Sequence, residues 1–420
     1  MSQKQPKQPS PTTGREDFDY EAFRLQVIGG LMRGEDLMGD SGLLKPLIKD
    51  FVEGALDAEL ADHIKETKAG GRDNRVNGPA SKTIRSIAGP IDLQYHRDRS
   101  GGFEPITVGK RQHQLALGFD NQILELYAMG NSLQDIALHL KKMYGAEMST
   151  ARLSQVVNTT WERVERWHKR ELDACYVVMF VDAVHLNIRR QDGVRKVALY
   201  VVYGISVLGF REIIAIYPGQ GGESATEWAR CLQDLKNRGI KDVFVLCSDG
   251  LAGLKEVLYD AFPEANIQRC VVHKIRNCMK MLDHDDSRQV LRQLKEVYTS
   301  VNEPEARRKL EEFKLHWKGK YDVVAQLWEK DWTELMACMK LGPALKKITY
   351  TTNAIENLNR EIRRVTKTKG PWPGDQALLI QLFLSLDRKK DSWHKKIHQW
   401  ASIHRELVRD FGERFTKHIS

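Results

Sequence analysis

No stretch of the 420-residue chain approaches the ~18 consecutive apolar residues that a membrane-spanning helix needs. The opening MSQKQPKQPSPTTGR is polar and proline-rich and lacks the apolar centre of a secretory signal. Membrane and secreted classes are therefore set aside, and residues 1–17 read as a disordered tail. Cysteine is scarce, with six in the chain and no pair spaced as CxxC, so zinc-ribbon and thioredoxin signatures are missing. Several of these thiols sit in apolar, strand-like runs, where a free cysteine packs as a small hydrophobe and a reducing cytoplasm suits it. No internal repeat is visible. With 41% apolar and 29% charged residues the composition is that of a soluble globular protein. At roughly 100–200 residues per domain, two to four domains are expected.

Positive charge is what the chain has in excess. Lys plus Arg outnumber Asp plus Glu by 65 to 56, a formal charge of +9. The surplus is local: residues 351–420 hold 14 basic against 8 acidic side chains, and residues 65–113 hold 10 against 5. Basic segments this concentrated point to a polyanion, most often nucleic acid, with a merely solvated basic face as the plainer alternative.

Apolar periodicity predicts helix over residues 18–63, then a Gly/Asn-rich basic break over 68–79, then a short hairpin over 82–98 turning at Gly89-Pro90. Residues 120–169 read as three helices, with Ser132 and Ser149 as N-caps and Gly145 as a stop, an arrangement resembling a helix-turn-helix. From residue 174 the pattern becomes β-rich. Strands are predicted over 176–190, 196–207, 210–217, 242–247 and 266–272, with helices over 226–238 and 251–262. This order is an α/β layout with a mixed sheet, the order of a ribonuclease-H-like core. Residues 285–345 are charged, Trp-bearing and helical, and read as an insertion into that core. One strong helix returns over 352–367, broken by Gly370-Pro-Trp-Pro-Gly374. The expected division is thus a tail (1–17), a basic DNA-binding helical and small-β region (18–115), a helix-turn-helix-like region (116–172), a first core part (173–284), an all-helical insertion (285–347) and a last core part (348–420).

Three acids stand out. Asp182 shares a strand face with Phe180, Val184 and Leu186, and a carboxylate there is costly unless paired or metal-bound. A frayed strand end is the alternative. Asp249 closes the strand DVFVLCS at the end where α/β folds place their chemistry, although an Asp there also serves as an ordinary helix N-cap. Glu356 opens a helix whose apolar face is Ile355, Leu358, Ile362 and Val365. Arg360, Arg363, Arg364 and Lys367 follow Glu356 along another face, as phosphate contacts beside a metal ligand. The competing readings are a capping box with Asn353 and an i,i+4 pair with Arg360. Together the acids suit two-metal phosphoryl transfer, in which hard oxygen ligands favour two Mg²⁺ (or Mn²⁺) ions. Cys270 and His273 follow the last strand. With Cys278 they offer three zinc-type ligands but no fourth nearby.

The chain resembles bacterial insertion-sequence transposases of the Mutator-type DDE family. The likeness rests on GRDNRVNG, GPIDL, RDRSGGFEP, LELYAMGNSLQDIALHL, VDAVHLNIR, LKNRGIKDVFVLCSDGLAGL, FPEANIQRCVVHKIRN and YTTNAIENLNREIRRVTKTKGPWP, in order over residues 70–375. The resemblance implies a triad of Asp182, Asp249 and Glu356, separated by 67 and 107 residues, with a helical insertion in the second gap. It implies that the N-terminal helical region reads terminal inverted repeats, and that the element end is cleaved and its 3′-hydroxyl joined to target DNA. A homodimer or higher oligomer on DNA in a bacterial cytoplasm, at the nucleoid, accompanies that reading. Cys270 and His273 match a family motif of undetermined role. Two rivals remain: a stand-alone ribonuclease-H-like nuclease and a non-catalytic DNA-binding regulator descended from a transposase.

Overall fold

The computed structural model describes residues 18–39, 41–71, 73–86, 88–110, 119–144, 148–350, 353–367 and 370–419; the expected tail and the stop at Gly145 lie outside them. The chain forms two compact units, Met1–Tyr127 with Asn131–Val157, and Ala128–Gly130 with Asn158–Ser420.

The first unit begins with α1 (Tyr20–Met32), capped by the Asp19 carboxylate on the Ala22 amide, and α2 (Lys45–Ala69). Val52, Leu56, Leu60 and Ile64 recur at helical spacing along α2 and are all buried. Val52 and Leu56 pack with Ile84, Ile91 and Leu93 of an antiparallel hairpin, β1 (Val76–Ser86) and β2 (Gly89–Asp98). The hairpin closes between Ser86 and Gly89, so Gly89-Pro90, expected as the turn, opens β2 instead. Ser86 shapes the turn: its hydroxyl donates to the Gly89 carbonyl at 2.9 Å and accepts from the Ala88 amide at 3.0 Å. Gly89 supplies the positive φ of 88° that a side chain would resist. Three helices follow: α3 (Phe119–Ala128), α4 (Leu133–Tyr144) and α5 (Thr150–Asn158). Ser132 and Ser149 cap α4 and α5 as their sequences imply, through the Asp135 and Arg152 amides at 3.1 and 3.2 Å. The last of the three helices expected over 120–169, the one capped by Ser149, is broken after Asn158, and its second half is α6 (Trp161–Lys169) of the other unit.

Asp98 anchors the loop after β2. Buried at 4% exposure, it accepts from the Phe103 amide at 3.1 Å, the Gly102 amide at 3.0 Å, Asn74 Nδ2 at 3.2 Å and the Ser100 hydroxyl. Burial alone would raise its pKa, but these donors outweigh it and hold the carboxyl at about 2. The motif RDRSGGFEP is thereby explained locally as one acid gathering the donors that follow it.

In the second unit, long β-branched and aromatic runs make β3 (Cys175–Arg190), β4 (Gly193–Ser206) and β5 (Arg211–Pro218), followed by α7 (Ala225–Asn237), β6 (Asp242–Ser248), α8 (Leu254–Ala261) and β7 (Asn266–Arg269). They build a five-stranded mixed sheet in the order β5-β4-β3-β6-β7, antiparallel from β5 to β3 and parallel from β3 to β7. This is the mixed α/β architecture expected. Helices α7 and α8 cover one face through Trp228, Leu232, Leu235, Leu254 and Leu258. The last strand is shorter than expected: it ends at Arg269, and Val271 already belongs to α9 (Val271–Met279).

A helical run comes next: α10 (His284–Tyr298), α11 (Glu303–His316), α12 (Asp322–Lys330), α13 (Trp332–Leu335), a 3-10 turn (Ala337–Lys340) and α14 (Pro343–Tyr350). It carries its own apolar core, with Leu294, Leu310, Phe313 and Trp328 fully buried. Then α15 (Asn353–Thr366) buries Ile355, Leu358, Ile362 and Val365, the face read from sequence. The Pro/Gly break after it returns Trp372 to the sheet, where its amide and carbonyl pair with Asn187 O and Arg189 N at 2.9 and 2.7 Å. The chain ends in α16 (Asp375–Asp387), α17 (Lys390–Trp393), α18 (Trp400–Phe411) and α19 (Glu413–Thr416).

Replacing Asp98 by Ala strands several buried donors and is expected to destabilise the first unit by about 3 kcal/mol, measured by urea unfolding. The carboxyl titrates below its ordinary value, so its contribution is complete above pH ~4 and is lost as pH falls towards ~2. Asp98→Ala should therefore flatten the acid limb of the wild-type stability curve.

Candidate active site

Parallel pairing of β3 and β6 puts Val181 opposite Ser248; Asp182 and Asp249 are the next residues, Asp182 still within β3 and Asp249 just past the end of β6. Asp182 is buried, at 6% exposure, on the middle strand of the sheet. Its Oδ1 accepts from the Ala183 amide at 2.9 Å and its Oδ2 from Asn359 Nδ2 at 2.5 Å. His273 Nε2 stands 4.0 Å from the same Oδ2. Burial raises the Asp182 pKa and Asp249 adds to it, while His273 and the two hydrogen bonds oppose the rise. The frayed-end reading of this residue is excluded, because pairing with β4 continues from Asp182 to Arg190.

Asp249 is half-buried, and its Oδ1 accepts from the Leu251 amide at 3.2 Å. It is not the cap of α8. That helix begins three residues later than expected, at Leu254, with Gly253 in the left-handed conformation at its N-cap. The loop bearing Asp249 is braced from below. Arg269 Nη2 donates to the Gly250 carbonyl at 3.0 Å, and Nη1 pairs with Asp331 Oδ1 at 2.5 Å. A Cβ on Gly250 would lie 1.6 Å from Arg269 Nη2, so no side chain fits there while the brace stands.

Glu356 is approached by Arg276 of α9, at 2.6 Å, rather than by Arg360 one turn along. It precedes by three residues the Asn359 that reaches Asp182, and i,i+3 spacing puts both on one side of α15. The oxygens of Asp182, Asp249 and Glu356 are not gathered within 4.8 Å of one another. Among the described residues only Cys175, Asp242 and His418 are gathered so closely. That group is a poor metal site: Arg414 already takes both Asp242 oxygens, at 2.5 and 3.0 Å, and burial pushes the Cys175 thiol to about 12.

Cys270 and His273 occupy the N-cap and first turn of α9. Interaction with the Cys270 side chain raises the His273 pKa against the effect of burial; Asp182 and Asp249 add to it, and the result is about 9. An imidazolium at neutral pH is a poor zinc ligand, and Cys278 is buried in the apolar core of the helical run. The basic stripe divides. Arg360 and Lys367 are exposed and Arg363 half-buried. Arg364 pairs at 2.6 Å with the buried Glu361, which Lys389 also holds at 2.6 Å.

Two contributors escaped the sequence reading. Asn359 lies between Leu358 and Arg360 and carried no signal. Glu223 directly precedes Ser224, the N-cap of α7, and resembles any acid at a helix start. Its Oε1 accepts from Trp228 Nε1 at 2.9 Å. Burial, with Asp249 and Asp182 adding, pushes its pKa up to about 7, although the Trp228 bond and His273 oppose the shift.

The sequence matches the family described as "Transposase, Mutator family" over residues 27–396. It is 34% identical over 399 residues to the transposase of insertion sequence element ISRM3 from Rhizobium meliloti, covering 94% of this chain and 99% of that one. The IS905 transposase of Lactococcus lactis is 30% identical, over 85% of this chain and 90% of its own. The IS256 transposase of Tn4001 from Staphylococcus aureus is 26% identical, over 77% and 83%. The Drosophila P element transposase strand transfer complex aligns over 74% of this chain and 86% of its own, at 11% identity and a TM-score of 0.29, too slight a likeness to bear on the fold. The chain belongs to the Mutator family of transposases, those of bacterial insertion sequence elements. No described helix is long and apolar enough to cross a membrane.

The brace under Asp249 predicts that Gly250→Ala expels the Arg269 guanidinium and leaves Asp331 with Lys274 alone. A loss of about 2 kcal/mol in unfolding free energy is expected from breaking this pair. Arg269→Gln should reproduce the loss, and the double variant should add little to either single one.

Proposed function

We propose that the sheet of the second unit is a ribonuclease-H-like core, interrupted by the α10–α14 run, and that Asp182, Asp249 and Glu356 are its DDE centre. The observation that carries this reading is that Asp182 and Asp249 are the next residues after the paired Val181 and Ser248, while the helix bearing Glu356 reaches Asp182 through Asn359. The reaction is phosphoryl transfer at the ends of an insertion sequence. Water first cleaves the strand at the element end, and the freed 3′-hydroxyl then attacks a target phosphodiester in line.

The donor set fits hard divalent cations. Asp182 and Asp249 follow the last paired residues of β3 and β6, and the buried Asn359, which donates to Asp182, has an Oδ1 with no hydrogen-bond donor. Asp182, Asp249 and Glu356 would hold two Mg²⁺ or Mn²⁺ ions, which supply Lewis acidity at the attacking and leaving oxygens. The protein's own part is positioning. The Asn359 and Ala183 N–H groups fix the two Asp182 oxygens, the Leu251 amide fixes Asp249, and Arg276 orients Glu356. His273 keeps its proton at neutral pH and adds a fixed positive charge where phosphate oxygens would lie. Arg360, Arg363 and Lys367 would carry the DNA backbone along α15. The terminal inverted repeats and the target DNA are the proposed partners, with the basic first unit as end reader and a homodimer or higher oligomer assembling on DNA.

Asp182→Asn, Asp249→Asn and Glu356→Gln should each abolish strand cleavage and joining while leaving binding of the element ends intact. Their effects should not add, because the three act as a unit. Cleavage at the wild-type rate by any variant removes that residue from the centre. End binding by a wild-type protein that never cleaves in Mg²⁺ favours the regulator, and cleavage indifferent to the inverted repeats favours the nuclease.

The stripe gives a second test. Arg363→Gln or Lys367→Gln should lower the slope of log affinity against log salt by about 0.9 per lost phosphate contact, equally on cognate and random DNA. Arg364→Gln should instead lower the melting temperature, because it removes a partner of buried Glu361. A salt slope unchanged in the first two variants rules out the DNA-contact role of the stripe.

A further inference from the structure

Glu223, just before α7, is held against the sheet beside the strand position next to Asp182. The hydroxyl of Tyr200, whose residue pairs with Ala183 on β3, accepts from the Ser224 amide at 3.1 Å and donates to the Gly222 carbonyl at 3.4 Å. Glu223 is clamped between those two contacts, at the level of the strand position next to Asp182. The start of α7 also abuts the loop that carries Asp249: Ala225 Cβ lies 3.4 Å from where a Cβ on Gly253 would stand. One carboxylate oxygen is fixed by the Trp228 indole, itself fully buried and packed edge-on against Tyr200. Oε2 accepts no hydrogen bond among the described residues. A half-buried carboxylate with one oxygen fixed and the other unclaimed, close to two further acids, is arranged to meet a cation.

From this geometry we infer that Glu223 is a fourth carboxylate of the divalent-cation site, with Trp228 as its positioning residue. This rests on the DDE reading above. Asp182 then presents an oxygen from within β3 and Asp249 from just past β6, while Glu356 approaches from the α15 side and Glu223 from the α7 side. The carboxylate would bind a cation directly or through its water shell, and no proton or electron transfer is required of it.

The test is a calorimetric titration of Mn²⁺ into the full-length protein without DNA, beside thermal melts in EDTA. Wild type, Asp182→Asn, Glu223→Gln and Glu223→Asp are compared. Both Asp182→Asn and Glu223→Gln should weaken Mn²⁺ binding about tenfold or more, with Glu223→Asp intermediate. The EDTA melt of Glu223→Gln should match wild type. Wild-type Mn²⁺ affinity in Glu223→Gln with lost affinity in Asp182→Asn overturns this inference and leaves the triad standing. Undiminished affinity in Asp182→Asn overturns both. A lowered EDTA melt with unchanged Mn²⁺ affinity makes Glu223 a support for Trp228 only and also overturns it. Should Glu223→Gln fail to fold, Glu223→Asp decides alone: it keeps the charge but shortens the reach by one methylene, so weakened Mn²⁺ binding upholds the inference and wild-type affinity refutes it.

Discussion

The second unit is organised around an unfavourable placement, a carboxylate buried on the middle strand of a sheet. An ionised Asp182 without compensation would be expensive there. Its own strand and two helices distant in sequence supply the compensation. The strand gives the Ala183 amide, α15 gives the Asn359 amide and α9 gives the His273 imidazolium. Each must dock at close to its observed depth for its polar atom to reach the acid. The same contacts that relieve Asp182 therefore set the places of α9 and α15 on the sheet, and Glu356 with them.

Helix α9 does this for more than one acid. Within four residues it sends His273 to Asp182, Lys274 to Asp331 and Arg276 to Glu356. Successive side chains of a helix point about 100° apart, so one short helix can serve the sheet, the helical run and α15 at once. Asp331 is claimed twice, by Lys274 and by Arg269, and Arg269 also holds the Gly250 carbonyl. Positive charge is thus spread over the floor of a site made of acids.

How much of this was legible beforehand depended on whether the signal was periodic or tertiary. The first four strands of the sheet, the apolar face of α15 and the Ser132 and Ser149 caps are local patterns and appear within a few residues of where the sequence implies, whereas the last strand gives way early to α9. The hairpin turn moved because Ser86 and Gly89 close it earlier than the Gly-Pro dipeptide suggests. The start of α8 moved because Gly253 takes the left-handed conformation, which lets the loop from Asp249 run on before the helix begins. Glu356 was readable as a special acid, but its partner was not. Arg360 is the neighbour that helix geometry offers, whereas Arg276 comes from 80 residues away. Asn359 and Glu223 were opaque for the same reason: a polar residue packed into the fold is defined by partners that sequence spacing does not display.

The long second gap between the acids also has a physical account. β7 lies at the edge of the sheet, and an exposed edge strand offers unpaired backbone to any passing chain. Here it is covered by the helical run. Gln268 of β7, fully buried, donates to the Leu335 carbonyl at 3.0 Å and accepts from the Cys338 amide at 2.8 Å. The run, from His284 to Tyr350, folds around its own apolar core, so it adds its length without drawing on the core of the sheet. Its first connection leaves from α9 and its last enters α15, the two helices that compensate Asp182. The run lengthens the chain between Asp249 and Glu356 while both of its ends leave from helices docked on Asp182. The spacing of the acids in sequence is therefore free to grow, because their spacing in the fold is set by Asp182 and its partners.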